Sequence, residues 1–412
     1  MSKYLIVGII LVVLVALLAT NKKLVETLKN IYKIEELRKR ILFTLGLLLV
    51  YRLGSFVTLP GVNHAALEAF TQSFADDNSL MGLLNVFSGG AFSQASIFAL
   101  GVMPYITASI IIQLMGIMVP YFRKMQREGE SGRRKMNQWT RFLTIAVLLL
   151  QAPAYLKSTV MRYNAVSMGE DTFIYTSTII LIAGTMFIMW LGEKITDKGI
   201  GNGVSLIIMI GIVARLPHAF LEELMFQVSA SGSIIMLIVE LVFLAMVFML
   251  AIAIVQAVRK IPVQYAKRIV GNKQYGGVRQ YIPLKLNAAN VMPIIFAQAL
   301  MFIPGLIWGG QWLDIQGFWY NFTLAVLVIA FTYFYTAIIV NPHMMADDMK
   351  RNGGFIPGVK PGKSTVTYID NIMTRITLPG SIFLAIITVL PAIAMTLGVN
   401  SSFAYFYGGT SL

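Results

Sequence analysis

Side chains able to carry out chemistry are few in this chain, and their spacing assembles no reactive centre. Cysteine is absent from all 412 residues, which excludes disulfides, thiolate metal sites and cysteine nucleophiles. The three histidines, His64, His218 and His343, fall in separate connecting segments, so neither a metal site nor any other cofactor is expected. Gly199-Ile200-Gly201-Asn202-Gly203 has the glycine content of a phosphate cradle, but no strand-like run precedes it and no Walker lysine follows. A turn joining two helices fits it better. An enzyme working inside a bilayer needs a Ser/His, paired-Asp or metal constellation, and the apolar stretches hold no histidine and no paired aspartate; no enzymatic activity is expected.

Two ionisable residues sit within apolar stretches, Glu240 in one and Arg52 toward the end of another, and such groups are functional candidates by default. Arg52 is placed to snorkel to the interface, whereas Glu240 has no such account and is the one strong candidate ligand if the chain were a secondary transporter. A denser charge cluster lies outside the apolar runs: Arg259, Lys260, Lys267, Arg268 and Lys273 around Tyr265. Cations at that density suit RNA phosphates or acidic groups on a protein partner; setting topology and contacting anionic lipid is the commoner use of such charge.

The elements that must position these residues are apolar helices. Hydrophobic residues make up 57% of the chain and charged ones 13%, half the charge of an ordinary soluble domain, about 25%. Ten runs approach the ~20 apolar residues needed to cross a bilayer, at residues 4–20, 41–57, 97–119, 142–156, 172–192, 204–216, 233–258, 286–309, 322–340 and 376–397. None alternates with period 2 as a membrane barrel strand does. Of the 33 Lys and Arg residues, 28 fall in residues 22–40, 123–141, 194–198, 259–285 and 350–375, on alternate connections. The intervening connections carry Glu68, Asp76, Asp77, Glu170, Asp171, Glu222, Glu223 and Asp314. By the positive-inside rule the basic connections face the cytoplasm and every run crosses once. No small-residue cleavage site follows residues 4–20, which reads as a retained span.

Two further patterns concern a passage. Val102-Met103-Pro104-Tyr105-Ile106 opens one apolar run and Val291-Met292-Pro293-Ile294-Ile295 lies early in another; proline-interrupted segments at matching places in two halves point to an inverted repeat with a passage at its interface. Residues 82–94, GLLNVFSGGAFSQ, are too polar and glycine-rich to span and too apolar to be freely solvated. Such a segment is either re-entrant, filling a cavity inside protein, or a short amphipathic helix on the outer surface.

The chain resembles the SecY family. The resemblance rests on residues 87–93 (FSGGAFS), 97–106 (IFALGVMPYI), 110–114 (IIIQL), 128–135 (EGESGRRK), 199–203 (GIGNG), 265–268 (YAKR), 283–287 (PLKLN), 355–362 (FIPGVKPG) and 407–412 (YGGTSL), in family order. It implies an all-α polytopic membrane protein of two pseudo-symmetric halves around an hourglass pore, closed by a re-entrant plug helix. Residues 1–21 then form an additional N-terminal apolar span, and residues 22–412 a channel domain without the family's tenth helix and basic tail. The plug is expected at about residues 82–96 and the large cytoplasmic connections at about 120–141, 259–285 and 341–375.

Carried onto this chain, the resemblance implies a pore ring of Val102, Ile106, Val204, Ile208 and Ile295, and aliphatic rings of this kind exclude water and ions by dewetting. The plug residues are Leu83, Asn85, Phe87, Ser88, Gly89, Gly90 and Phe92. Gln113 and Asn287 match polar positions of a lateral gate between residues 97–118 and 287–309; either amide serves equally well to meet a neighbouring backbone. The partner-binding connections hold Arg259, Lys260, Tyr265, Lys267, Arg268, Lys273, Lys350, Arg351 and Lys360, the last at a position commonly arginine in the family. The implied function is passage of unfolded secretory polypeptides across the bacterial inner membrane and sideways release of membrane segments into lipid. Implied partners are SecE, SecG, the SecA motor, the ribosome, signal peptides and nascent chains, and anionic lipids.

Overall fold

The computed structural model describes residues 32–63, 88–161, 169–228, 234–265, 268–270, 273–275, 279–308 and 317–397, together with Glu26, Lys29, Asn30, Asn85 and Val166. The run at residues 4–20, Leu83, Phe87 and Lys267 lie outside the described residues.

Nine of the ten apolar runs fall on helices. In chain order these are α1 (Glu35–Gly54), α2 (Met103–Met118), α3 (Pro120–Arg127), α4 (Glu130–Tyr155), α5 (Glu170–Lys198), α6 (Gly203–Val228), α7 (Ile234–Gln256), α8 (Met292–Trp308), α9 (Phe318–Ile339), α10 (Pro342–Arg351) and α11 (Lys363–Thr396), of which α3 and α10 are short polar helices outside the runs. Among the described residues five helical stretches are long and apolar enough to cross a membrane: Glu170–Lys198, Gly203–Gln227, Ile235–Gln256, Phe318–Arg351, which takes in α9 and α10, and Lys363–Thr396. Helices α2 and α3 together qualify as one broken span bent by 100°. The mostly helical, multi-pass body is what the apolar runs dictate, because backbone polar groups in hydrocarbon must be met within the helix.

Two expected boundaries shift. The helix expected from residue 97 begins at Met103, and residues 97–102 are turns, with Gly101 at φ +54°. Pro104 and Pro293 each occupy the second position of their helices, where the missing amide costs no hydrogen bond. The paired prolines therefore start α2 and α8 rather than break them. Helix α6 runs past Leu216 to Val228, so His218, Glu222 and Glu223 sit on a helix and not in a connection. The reason is local: Glu223 is fully buried, and Gln227 Nε2 donates to its Oε1 at 2.9 Å and to Glu240 Oε1 on α7 at 3.1 Å. A polar pair on α6 thus meets the lone acid of α7, which accounts for Glu240.

Packing gathers the body around α6. One cluster joins Leu48 and Tyr51 of α1, Phe98, Val102, Ile188 and Leu191 of α5, and Ile207 of α6. Another joins Ile212 and Ala219 of α6 to Ile294 and Met301 of α8, Leu324 and Val328 of α9, and Leu384 of α11. The α5–α6 turn is tight because Gly203 lies where a Cβ would stand 2.0 Å from the Gly192 carbonyl oxygen. Gly199 to Gly203 is thereby a helix-joining turn, tied by Ile200 N donating to Thr44 Oγ1 at 3.2 Å and Gly203 N to Thr196 Oγ1 at 2.8 Å.

Residues 259–285, read in sequence as a long basic connection, contain an antiparallel hairpin. Strand β1 (Val258–Tyr265) pairs with β4 (Arg279–Lys285) from Val258↔Lys285 to Gln264↔Arg279. At the tip β2 (Arg268–Val270) pairs with β3 (Lys273–Tyr275). The far end of β1 takes β5 (Gly354–Phe355) as a third strand, so the sheet order is β4-β1-β5. Ile261 and Val263 alternate with exposed neighbours and are buried, the period-2 signature of a one-sided strand.

Candidate functional site

The segment expected to be the plug is folded into the body. Asn85, Ser88, Gly89, Gly90 and Phe92 are all buried; Asn85 is helical and residues 88–95 are a chain of turns. Its polar groups are met internally. Ser93 N donates to Asn85 Oδ1 at 3.1 Å, Phe92 N to Ser88 Oγ at 3.0 Å and Ser93 Oγ to the Gly90 carbonyl at 3.1 Å. Gly89 and Gly90 hold φ of +65° and +92°, which favours glycine. Small hydroxyls thus meet part of the hydrogen-bonding demand of a buried segment of turns.

Three outside anchors fix this segment. Tyr155 at the end of α4 donates to the Phe92 carbonyl at 2.7 Å while its ring tilts against the Phe92 ring at 4.7 Å. Leu59 N donates to the Ala95 carbonyl and Ile97 N to the Val57 carbonyl, both at 2.9 Å. Arg52 Nη1 donates to the Gly89 carbonyl at 2.7 Å, so Arg52 does not snorkel toward water but turns into the fold. Tyr155 and Arg52 were missed as plug contacts because they lie 63 and 37 residues from their partners.

Of the five expected ring residues, Val102, Ile106 and Val204 pack in one cluster. Ile208 packs with Ile294 and Met301 of α8. Ile295 is half-buried and takes part in no packed cluster among the described residues. Val102 is buried, and Ile106, Val204 and Ile208 are half-buried.

At the expected gate, Ile106, Ile110 and Leu114 of α2 pack with Ala289, with Phe296 of α8 and with Tyr335 of α9. Gln113 is engaged: its Nε2 donates to Ser109 Oγ at 3.0 Å, and its Oε1 accepts from the Tyr335 hydroxyl. Asn287 is buried just before α8 with Oδ1 lacking a hydrogen-bond partner. The two amides are therefore not each other's partners; the bond across this interface runs from α2 to α9. Tyr335 escaped notice because it sits in an aromatic run, Phe331-Thr332-Tyr333-Phe334-Tyr335, where a single hydroxyl gives no periodic signal. Tyr335→Phe removes that bond and keeps the ring. Interhelical bonds of this kind average about 0.6 kcal/mol, so the population with α2 and α9 parted should rise about threefold, read as crosslinking across the interface; unchanged crosslinking would show that the bond does not hold the helices together.

The basic residues form a platform. Arg259, Lys260, Lys350, Arg351 and Lys360 are exposed and Tyr265 half-buried against Gly354 of β5; Arg268 and Lys273 lie on the tip strands. Beneath them Ile261, Val263, Leu284, Met349, Ile356, Ile369 and Met373 make one core. It unites the hairpin, α10 and the first turns of α11. Asn341 caps α10, its Oδ1 accepting from His343 N at 3.0 Å, the usual service of an N-cap amide.

The body is multi-pass and helical, with a buried segment of turns at the head of α2. Two solved structures share that fold: one described as a protein-conducting channel, with TM-score 0.58 at 15% identity over 90% of this chain and 89% of that one, and the idle yeast Ssh1 complex bound to the yeast ribosome, with TM-score 0.61 at 14% identity over 90% and 87%. A family model described as SecY matches residues 96–412. Protein translocase subunit SecY of Streptomyces scabiei is 41% identical over 405 residues, 92% of each chain, and that of Halalkalibacterium halodurans is 42% identical over 386 residues, 89% of this chain and 88% of the other. The chain belongs to the SecY family.

Proposed function

We propose that this chain is the channel subunit of a bacterial protein translocase, passing unfolded polypeptides through its body and releasing apolar segments sideways between α2 and the α8–α9 pair. The observation that carries this reading is the buried segment of residues 88–96 at the head of α2, met by its own hydroxyls and by three removable anchors.

Val102, Ile106, Val204, Ile208 and Ile295 form the ring that yields to a polypeptide and excludes ions. Residues 82–96 are its plug. Gln113 and Asn287 belong to the lateral gate, with Tyr335 as the partner of Gln113. No covalent step is involved; apolar segments leave because lipid solvates them better than water does. The chain sits in the bacterial plasma membrane with its basic connections in the cytoplasm, supported by 28 of 33 cations on alternate connections. The platform, with Arg259, Lys260, Lys267, Arg268, Lys273, Lys350, Arg351 and Lys360, receives the ribosome or the SecA motor and contacts anionic lipid, while SecE and SecG complete the complex. A transporter role draws no support from Glu240, which is engaged by Gln227 in joining α6 to α7.

The test is a photoreactive residue at Ile106 or at Ile295, with a ribosome stalled on a signal-anchored nascent chain. Crosslinks from both positions are expected. A chain that inserts without touching either would overturn the channel reading.

A further inference from the structure

Arg52 occupies the last turn of α1. Its Nη1 donates to the Gly89 carbonyl at 2.7 Å, and its guanidinium lies over the Phe56 ring, 4.7 Å from the centroid. Gly89 is pressed from the other side as well. With φ at +65°, a Cβ on Gly89 would stand 2.9 Å from Gly211 Cα on α6 and 3.1 Å from Arg52 Nη1. The Gly89 peptide is therefore clamped between a cation carried by α1 and the bare backbone of α6. The segment's other described bonds are internal, neutral, or made by Tyr155 and the backbone of residues 57–59.

We propose that Arg52 is the latch of the plug: a positioning residue whose charge-assisted bond to Gly89 holds residues 88–96 in the closed position and so sets the resting permeability. The inference rests on reading this segment as a plug. Geometry favours arginine for the task. A planar guanidinium stacks on Phe56 with one face while an edge N–H reaches the carbonyl; a lysine ammonium offers a point charge without that plane. Of the three outside anchors, Arg52 alone supplies a charged donor, and the bonds from Tyr155 and Leu59 are neutral, so the Arg52 bond is the strongest of the three to be broken when the segment leaves.

The experiment uses the whole translocase complex reconstituted in lipid vesicles, with resting ion conductance and amide hydrogen exchange of residues 88–96 as readouts. Arg52→Gln should raise both, by roughly tenfold for loss of a charge-assisted bond, with amides of α5 and α11 exchanging as in the parent. Arg52→Lys should fall between parent and Arg52→Gln. Deletion of residues 83–90 is the reference arm. If the deletion leaks and Arg52→Gln keeps parental conductance and exchange, the latch is overturned and the plug stands. If the deletion itself stays tight, the plug reading fails and the latch with it. Should Arg52→Gln not accumulate, Phe56→Leu withdraws the stacking surface; raised conductance and exchange support the latch, and parental values overturn it.

Discussion

Ile261→Asp should abolish docking on the basic face while leaving the membrane body folded. Ile261 is 2% exposed in the core that joins β1, β4, α10 and α11. The substitution removes a buried aliphatic side chain and puts a carboxylate in its place, with no cation among the residues of that core. Losses of this kind exceed about 4 kcal/mol, more than a small satellite core sustains. The cations at Arg259, Lys260, Lys350, Arg351 and Lys360 would remain in the chain but lose their common frame, and ribosome co-sedimentation should weaken by about tenfold or more, since charge complementarity depends on arrangement. Lys260→Ala, a substitution on the exposed face, should weaken it only slightly and mainly at low salt. Equal losses for both variants would mean that the platform acts as a bag of charge, without need of its fold.

Gly184→Ala is expected to destabilise the body strongly for the addition of a single methyl. Gly184 is a buried residue of α5, and a Cβ there would stand 2.2 Å from the Ile97 carbonyl oxygen and 3.2 Å from the Phe98 ring. The obstacle is backbone, held in place by Ile97 N bonded to the Val57 carbonyl, so the helix must move away. Overpacking of this kind costs about 1–3 kcal/mol, and it falls at the junction between the plug and α2. Gly46→Ala is the matched control: nothing lies within 4 Å of its Cβ position on exposed α1, and alanine should stabilise that helix by about 0.5–1 kcal/mol. Thermal midpoints of the purified complex should therefore move in opposite directions. Two midpoints that move together would show that α5 does not bear on residue 97.

Much of the body could be read in advance, because a bilayer leaves so few choices. Long apolar runs dictate helices, and two of them open on the same Val-Met-Pro pattern at α2 and α8. The segment at residues 82–94 also announced itself, being too polar to span and too greasy to dissolve. Three things stayed hidden. The strand alternation of Ile261 and Val263 is only two residues long and embedded in a basic run, so periodicity could not separate it from a loop. The acidic pair Glu222–Glu223 reads as a solvent connection unless its partners, Gln227 and Glu240, are known to close on it. Arg52 and Tyr335 draw their meaning from partners 37 and 222 residues away, a distance at which no local pattern carries information. The resemblance set Gln113 and Asn287 between residues 97–118 and 287–309, whereas the bond Gln113 makes runs to Tyr335 of α9.

The chain between the buried segment and α2 is moored to residues 57–59 by Leu59 N to Ala95 O, Ile97 N to Val57 O and the bridge between Thr58 and Ser96. If that mooring outlasts the Arg52 and Tyr155 bonds, it acts as a post between two doors: residues before Ala95 would swing outward without dragging α2, and α2 would lean away from α9 without unseating them. On the proposed reading of this segment as a plug and of the α2–α9 interface as a gate, blocking the vertical passage and opening the sideways exit would be mechanically separable, so a secreted chain and a membrane-bound one would each be served by one movement.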